Sequence, residues 1–174
     1  MRKLWKVSVC AVALAGCGSD LSQCPSPDLA KLGREEALAG LAATLPRAGC
    51  APTGTDLADY QRGRSEGLAR YCTAARGYAL ALDGKTVNTD LCPDAAVDEL
   101  KRGAEVGLQL RRQLSERDQL IAQASDIEQV AAGLPEDSPE RRKLEDQAAG
   151  LRFDARQRDN DVEALRGIVA VERW

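Results

Sequence analysis

Towards the end of the chain, apolar positions recur in alternating steps of three and four. Leu144, Ala148, Leu151, Ala155, Val162, Leu165 and Val169 fall on one face, with Arg158 the single charged residue among them. This heptad spacing predicts one long amphipathic helix with a seam for a neighbouring helix. Ser138-Pro139-Glu140 supplies its start signal, a cap followed by a first-turn proline and an acid. An earlier helix opens at Pro93-Asp94 and continues to Ala132, where Gly133-Leu134-Pro135 stops it. Leu110, Leu114, Ile121, Ala124 and Ala131 fit its seam, and Arg117 falls on it. A short connector favours antiparallel packing, so residues 95–174 are expected to form a coiled-coil-like helical hairpin. Packing of the two helices on each other explains the seam. Self-association or binding of an envelope protein through the hairpin is the functional alternative.

Residues 24–94 follow other rules. They hold Cys24, Cys50, Cys72 and Cys92 and most of the prolines, and a short pattern recurs through them. Gly33-Arg34-Glu35-Glu36-Ala37-Leu38 lines up with Gly63-Arg64-Ser65-Glu66-Gly67-Leu68. Gly103-Ala104-Glu105-Val106-Gly107-Leu108 repeats it, and Gly77 to Leu82 is a looser fourth copy. Positions i and i+4 share a helix face, so the pairs Gly33/Ala37, Gly63/Gly67 and Gly103/Gly107 make flat strips that another backbone can approach. Short, closely packed helices are expected, the first from Ser26-Pro27-Asp28 to about Leu45 and the second from Thr55-Asp56 to about Tyr71. Asp83-Gly84 reads as a tight turn, either in a small β-hairpin near 78–91 or at a helix end followed by a loop. The fold class is mainly α.

The first residues read as an address. Arg2, Lys3 and Lys6 precede ten apolar and small residues, Val7 to Gly16. Ten residues rise about 15 Å as a helix, half of a bilayer core, so the segment reads as a cleaved signal and not as a membrane span. It ends in Leu14-Ala15-Gly16-Cys17, which resembles the lipobox of bacterial lipoproteins. That likeness implies cleavage after residue 16, a lipid on Cys17 that holds the chain to a membrane, and a tether over 17–23. Gly18 after the cysteine favours the outer membrane, facing the periplasm. Loss of Arg2, Lys3 and Lys6 moves the net charge from −3 to −6.

Processing also sorts the six cysteines. Cys10 leaves with the signal and Cys17 carries lipid, so four remain in an oxidising compartment and two disulfides are expected. Three connectivities are open, with nearest neighbours, Cys24–Cys50 and Cys72–Cys92, the favoured pair. Histidine is absent and aromatics make up 3% of the chain. The commonest general base and neutral metal ligand are therefore missing, and the negative net charge offers no field for nucleic acid. Ala79 to Thr86 resembles a relaxed phosphate loop, but it has one glycine and places Asp83 where phosphate would sit. The acid pairs Glu35/Glu36, Asp56/Asp59 and Asp159/Asp161 fit helix caps and solvated faces. No catalytic, cofactor or metal site is expected, and the chain reads as a non-enzyme.

Together, these residues resemble a bacterial lipoprotein family known as domain of unknown function 2799. Tyr60-Gln61-Arg62-Gly63-Arg64-Ser65-Glu66-Gly67-Leu68-Ala69-Arg70-Tyr71-Cys72 carries the likeness most fully, and Cys92-Pro93 closes it. The chain departs from the family pattern at Leu29, Glu36-Ala37 and Val87, where the family has Trp, Asp-Gly and an aromatic. The resemblance, expected over roughly residues 14–170, implies an envelope location and this architecture, and no activity. The expected role is a membrane-anchored structural or protein-interaction module. The alternative is a small ligand-binding or inhibitory lipoprotein that uses Glu36, Glu66 or Tyr71.

Overall fold

The computed structural model describes residues 28–44 and 54–174. Cys17, Cys24 and Cys50, with the expected signal, tether and first disulfide, lie outside the described residues. Five α-helices follow one another: α1 (Leu29–Leu38), α2 (Gly54–Tyr71), α3 (Ala74–Leu82), α4 (Asp94–Ala132) and α5 (Pro139–Glu172). A 3-10 turn, Thr89–Leu91, precedes α4, and there is no strand among the described residues.

Start and stop signals explain most boundaries. Asp28 caps α1 by accepting from the Lys31 N–H at 2.9 Å, and Ser138 caps α5 by accepting from the Arg141 N–H at 3.0 Å. Two expectations are corrected. The first helix ends at Leu38 and not near Leu45, because Gly40 adopts φ +72° and turns the chain back. The region 78–91 is not a β-hairpin: Tyr78 to Leu82 belong to α3, and Gly84, at φ +78°, ends that helix.

The helices pair parallel, α1 with α2 and α3 with α4, so that Ala30, Arg34 and Gly40 meet Gly63, Gly67 and Tyr71 in order, and the two pairs are copies of one unit. A Cβ on Gly33 would strike the Tyr60 carbonyl and the Arg64 N–H; one on Gly77 would strike the Leu100 carbonyl and the Ala104 N–H. Gly63 abuts Ala30 as Gly103 abuts Ala74, and Gly67 abuts Arg34 as Gly107 abuts Tyr78. Both caps match as well. The Leu41 N–H donates to the Glu36 carbonyl as the Lys85 N–H donates to that of Leu80. The repeated glycines thus sit where two helix backbones touch, and any side chain would separate them.

A core of Tyr71, Cys72, Leu80 and Leu100 joins the copies, with Leu68, Val87, Cys92 and Ala96 packed around it. The Cys72–Cys92 disulfide ties the end of α2 to the approach to α4, with 20 residues of sequence separation. Closing a loop of that size removes enough unfolded-chain entropy to stabilise the fold by about 3 kcal/mol. Replacing both cysteines with serine should lower the unfolding free energy by that amount, read from urea denaturation. An unchanged midpoint would mean that the unfolded chain is constrained some other way.

Beyond the second copy, α4 continues against α5. Leu110, Val162 and Leu165 form a second core with Tyr78, Leu82, Val106 and Leu114. Every residue of the predicted α5 seam is buried or half-buried, Arg158 included. On α4 the seam runs through Leu110, Leu114, Arg117, Ala124 and Ala131, but Ile121 is 38% exposed and Leu120 turns inward in its place. The two seam arginines are met by acids. Arg117 pairs with Asp159 of α5 at 3.3 Å and with its own neighbour Asp118 at 2.7 Å, while Arg158 pairs with Glu116 at 3.3 Å. A polar layer of this kind fixes the register of one helix against the other. At the far end of α5, Trp174 lies against Tyr78 and under Arg102, returning the chain terminus to the α3–α4 pair.

Candidate functional site

The C-terminal end of α1 gathers the most unusual chemistry in the molecule. Glu36 is a carboxylate at a core position, 8% exposed. The Tyr60 hydroxyl donates to it at 2.5 Å, and both the hydroxyl and the N–H of Thr44 donate to it as well. Arg64 stands 4.0 Å away with only 14% of its side chain exposed. Its Nη2 donates to the Leu41 carbonyl at 2.9 Å, and its Nη1 is buried with no hydrogen-bond partner among the described residues. Three elements converge because Gly33, Gly63 and Gly67 let α2 lie directly on α1, and Gly40 returns residues 41–44 over the same spot.

Burial alone would raise the Glu36 pKa, but the hydrogen bonds from Thr44 and Tyr60 and the charge of Arg64 together hold it below the ordinary carboxylate value. Burial, then the bond to Glu36 and its charge, push the Tyr60 hydroxyl up. A depressed carboxylate pKa stabilises the folded state at neutral pH, and that contribution disappears as pH falls below about 4.5, the unfolded value. Acid should therefore destabilise the native chain more than Glu36→Gln between pH 5 and the native pKa of Glu36. Parallel acid denaturation curves for the two would remove Glu36 from the account.

The second copy shows what this cluster replaces. Glu36, Tyr60 and Arg64 correspond to Leu80, Leu100 and Ala104, an ordinary apolar contact in which Leu100 is fully buried. The same backbone packing thus forms with or without the charges. What the charged version adds is a grip on the connector: Glu36 holds Thr44 and Arg64 holds Leu41. Three carbonyls at this end of α1 are capped from elsewhere, Leu38 by Arg76, Gly40 by Asn88 and Leu41 by Arg64. Positive groups at a helix C-terminus also complement its dipole.

The other candidate residues take structural positions. Glu66 pairs with Arg34 on the surface at 3.1 Å. Tyr71 is 1% exposed, and its hydroxyl accepts from the Asn88 N–H at 2.8 Å. Ala79 to Leu82 lie in α3 and Lys85 and Thr86 in the loop after it, an order of helix then loop that is the reverse of a phosphate cradle. No group of three or more possible metal ligands gathers among the described residues. No helix among them is long and apolar enough to cross a membrane.

The sequence element from Tyr60 to Cys72 therefore has a physical basis: Tyr60 meets Glu36, Gly63 and Gly67 meet α1, Tyr71 meets the second copy, and Cys72 is bonded to Cys92. Residues 28–109 match the family model described as Protein of unknown function (DUF2799). They form a domain of that family. The domain of unknown function 2799 thus comprises both glycine-laced pairs and ends inside α4, so the rest of the α4–α5 hairpin lies beyond the match and not within it, as a resemblance over 14–170 had implied. No curated protein and no solved structure matches the chain.

Proposed function

We propose that the chain is an envelope lipoprotein, anchored through Cys17, that serves as a structural or protein-interaction module rather than an enzyme. The observation that carries this reading is the outer part of the α4–α5 hairpin. After Leu114, the last α4 residue in the core shared with α3, the helix runs on to Ala132, about 27 Å. Along that length α4 and α5 close their seam on each other with alanines, Ala124, Ala131, Ala148 and Ala155. They leave apolar side chains outside, Val130 61% and Phe153 55% exposed. A slender projection with a satisfied seam and exposed apolar side chains suits contact with another protein, either a second copy or an envelope partner.

The lipid, the tether and the envelope location rest on Leu14-Ala15-Gly16-Cys17 and the basic residues before it. The intact mass of protein extracted from membranes tests them together. Loss of residues 1–16, addition of lipid at Cys17 and loss of four hydrogens for two disulfides is the expected result. Retention of Met1, or an unmodified Cys17, would remove the anchor. Light scattering on the Cys17→Ser chain then reports whether it self-associates without lipid.

A further inference from the structure

The two copies differ in what covers the corner between the end of the first helix and the second helix. In the first copy this corner is Gly40 against Tyr71, and residues 85–88 cross it. The Asn88 N–H donates to the Tyr71 hydroxyl at 2.8 Å, the Asn88 side-chain amide donates to the Gly40 carbonyl at 3.2 Å, and Val87 packs on the core. In the second copy the corner is Gly84 against the guanidinium of Arg111. Beside it runs an open groove of about 420 Å³, with Ala81, Ala104 and Leu108 (39% exposed) as its floor. Lys85 and Lys101 flank it, with Glu105 the one acid on its rim. Among the described residues neither Arg111 nor Lys101 has a hydrogen-bonding or ionic partner.

We infer that this corner is a docking site for a short acidic peptide segment of a partner protein. The first copy provides the template, a stretch of loop with an aliphatic residue, Val87, on the core and a polar residue, Asn88, at the corner. Exchange of Tyr71 for Arg111 inverts the chemistry required. The tyrosine hydroxyl accepts a hydrogen bond from its occupant, whereas a guanidinium only donates, so the occupant must present an acceptor, best a carboxylate. Lys101 adds positive charge, Lys85 being paired with Asp83 at 3.4 Å, in a chain whose net charge is −3. The site is separate from the outer hairpin and stands or falls independently of the function proposed above.

The test is panning of a displayed library of random dodecapeptides on the oxidised full chain carrying Cys17→Ser. The expected consensus places Asp or Glu within two residues of Val, Ile or Leu, and binding weakens at least about tenfold in Arg111→Glu but not in the neighbouring Arg112→Glu. Thermal melts of both variants, with Arg111 and Arg112 solvent-exposed, are expected to match the parent. Absence of an enriched consensus, a consensus without acids, or binding indifferent to Arg111→Glu would overturn the assignment. So would Arg111-dependent sedimentation with phosphatidylglycerol vesicles in place of peptide binding, since that outcome makes the corner a lipid contact.

Discussion

Gly63→Ala and Gly103→Ala should each destabilise the fold by about 3 kcal/mol, although alanine is the better helix former. At both positions the new methyl would fall on a backbone carbonyl, of Ala30 and Ala74 respectively, and no side chain can rotate away to make room. The helices would have to separate, and with them the contacts around Gly33, Gly67, Gly77 and Gly107. Gly150 and Gly167 provide the internal control. Both are helical with nothing within 4 Å of an added Cβ, so alanine there should stabilise by about 0.5–1 kcal/mol. Urea denaturation of the four variants checks the pattern. If Gly63→Ala unfolded together with Gly150→Ala, the close crossing of α1 and α2 would be wrong.

The second large effect concerns the charged core of the first copy. Glu36→Leu alone should cost about 3 kcal/mol, because it leaves Arg64 buried opposite an apolar residue and frees Thr44 and the Tyr60 hydroxyl. Tyr60→Leu and Arg64→Ala should also destabilise. Made together, the three changes rebuild Leu80, Leu100 and Ala104 of the second copy. The triple variant should therefore unfold within about 2 kcal/mol of the native chain, far less than the sum of its parts. Limited proteolysis should then cut within residues 41–44 faster, since Glu36 no longer holds Thr44 and Arg64 no longer holds Leu41. A triple variant as unstable as the added singles would mean that the two copies are alike in outline only.

Much of this architecture is legible in the chain, and the misreadings have local causes. The α5 seam is readable because a long two-helix contact imposes one period over many turns. Ser138-Pro139 and Gly133 mark the hairpin because caps and breakers act within a few residues of themselves. Leu41 to Leu45 continue the apolar content of α1, and only the positive φ of Gly40 ends the helix, so composition pointed the wrong way. Asp83-Gly84 carries the signature of a hairpin turn but caps a helix instead, because Gly77 is needed inside α3 to meet the Leu100 carbonyl. Ile121 and Leu120 are adjacent and both apolar, and the pattern alone does not say which faces α5.

The buried Glu36 was the least visible feature. Next to Glu35, with which it shares the last turn of a charged helix, it looks like any solvated acid. The signal that locates it is the repeat itself. Alignment of Gly33 with Gly77 puts Glu36 opposite Leu80, and an acid where the sister copy holds a core leucine must be hydrogen-bonded or fail. Likewise the match of Tyr71 to Arg111 follows from Gly63 and Gly67 aligning with Gly103 and Gly107. Sequence gave the glycine strips their faces, but which strip meets which depends on chain reversals at Gly40 and Gly84 that local pattern leaves open.

The central proposal, that the outer hairpin is the surface through which this chain meets another protein, is tested most directly by crosslinking in cells. A photoreactive phenylalanine analogue placed at Val130 or Phe153 of the full chain reports contacts at each side chain. The account predicts one discrete adduct, shared by both positions and absent when the probe replaces the exposed Lys31 or Arg62 of the first pair. No adduct from either hairpin position, or equal adducts from all four, would contradict it.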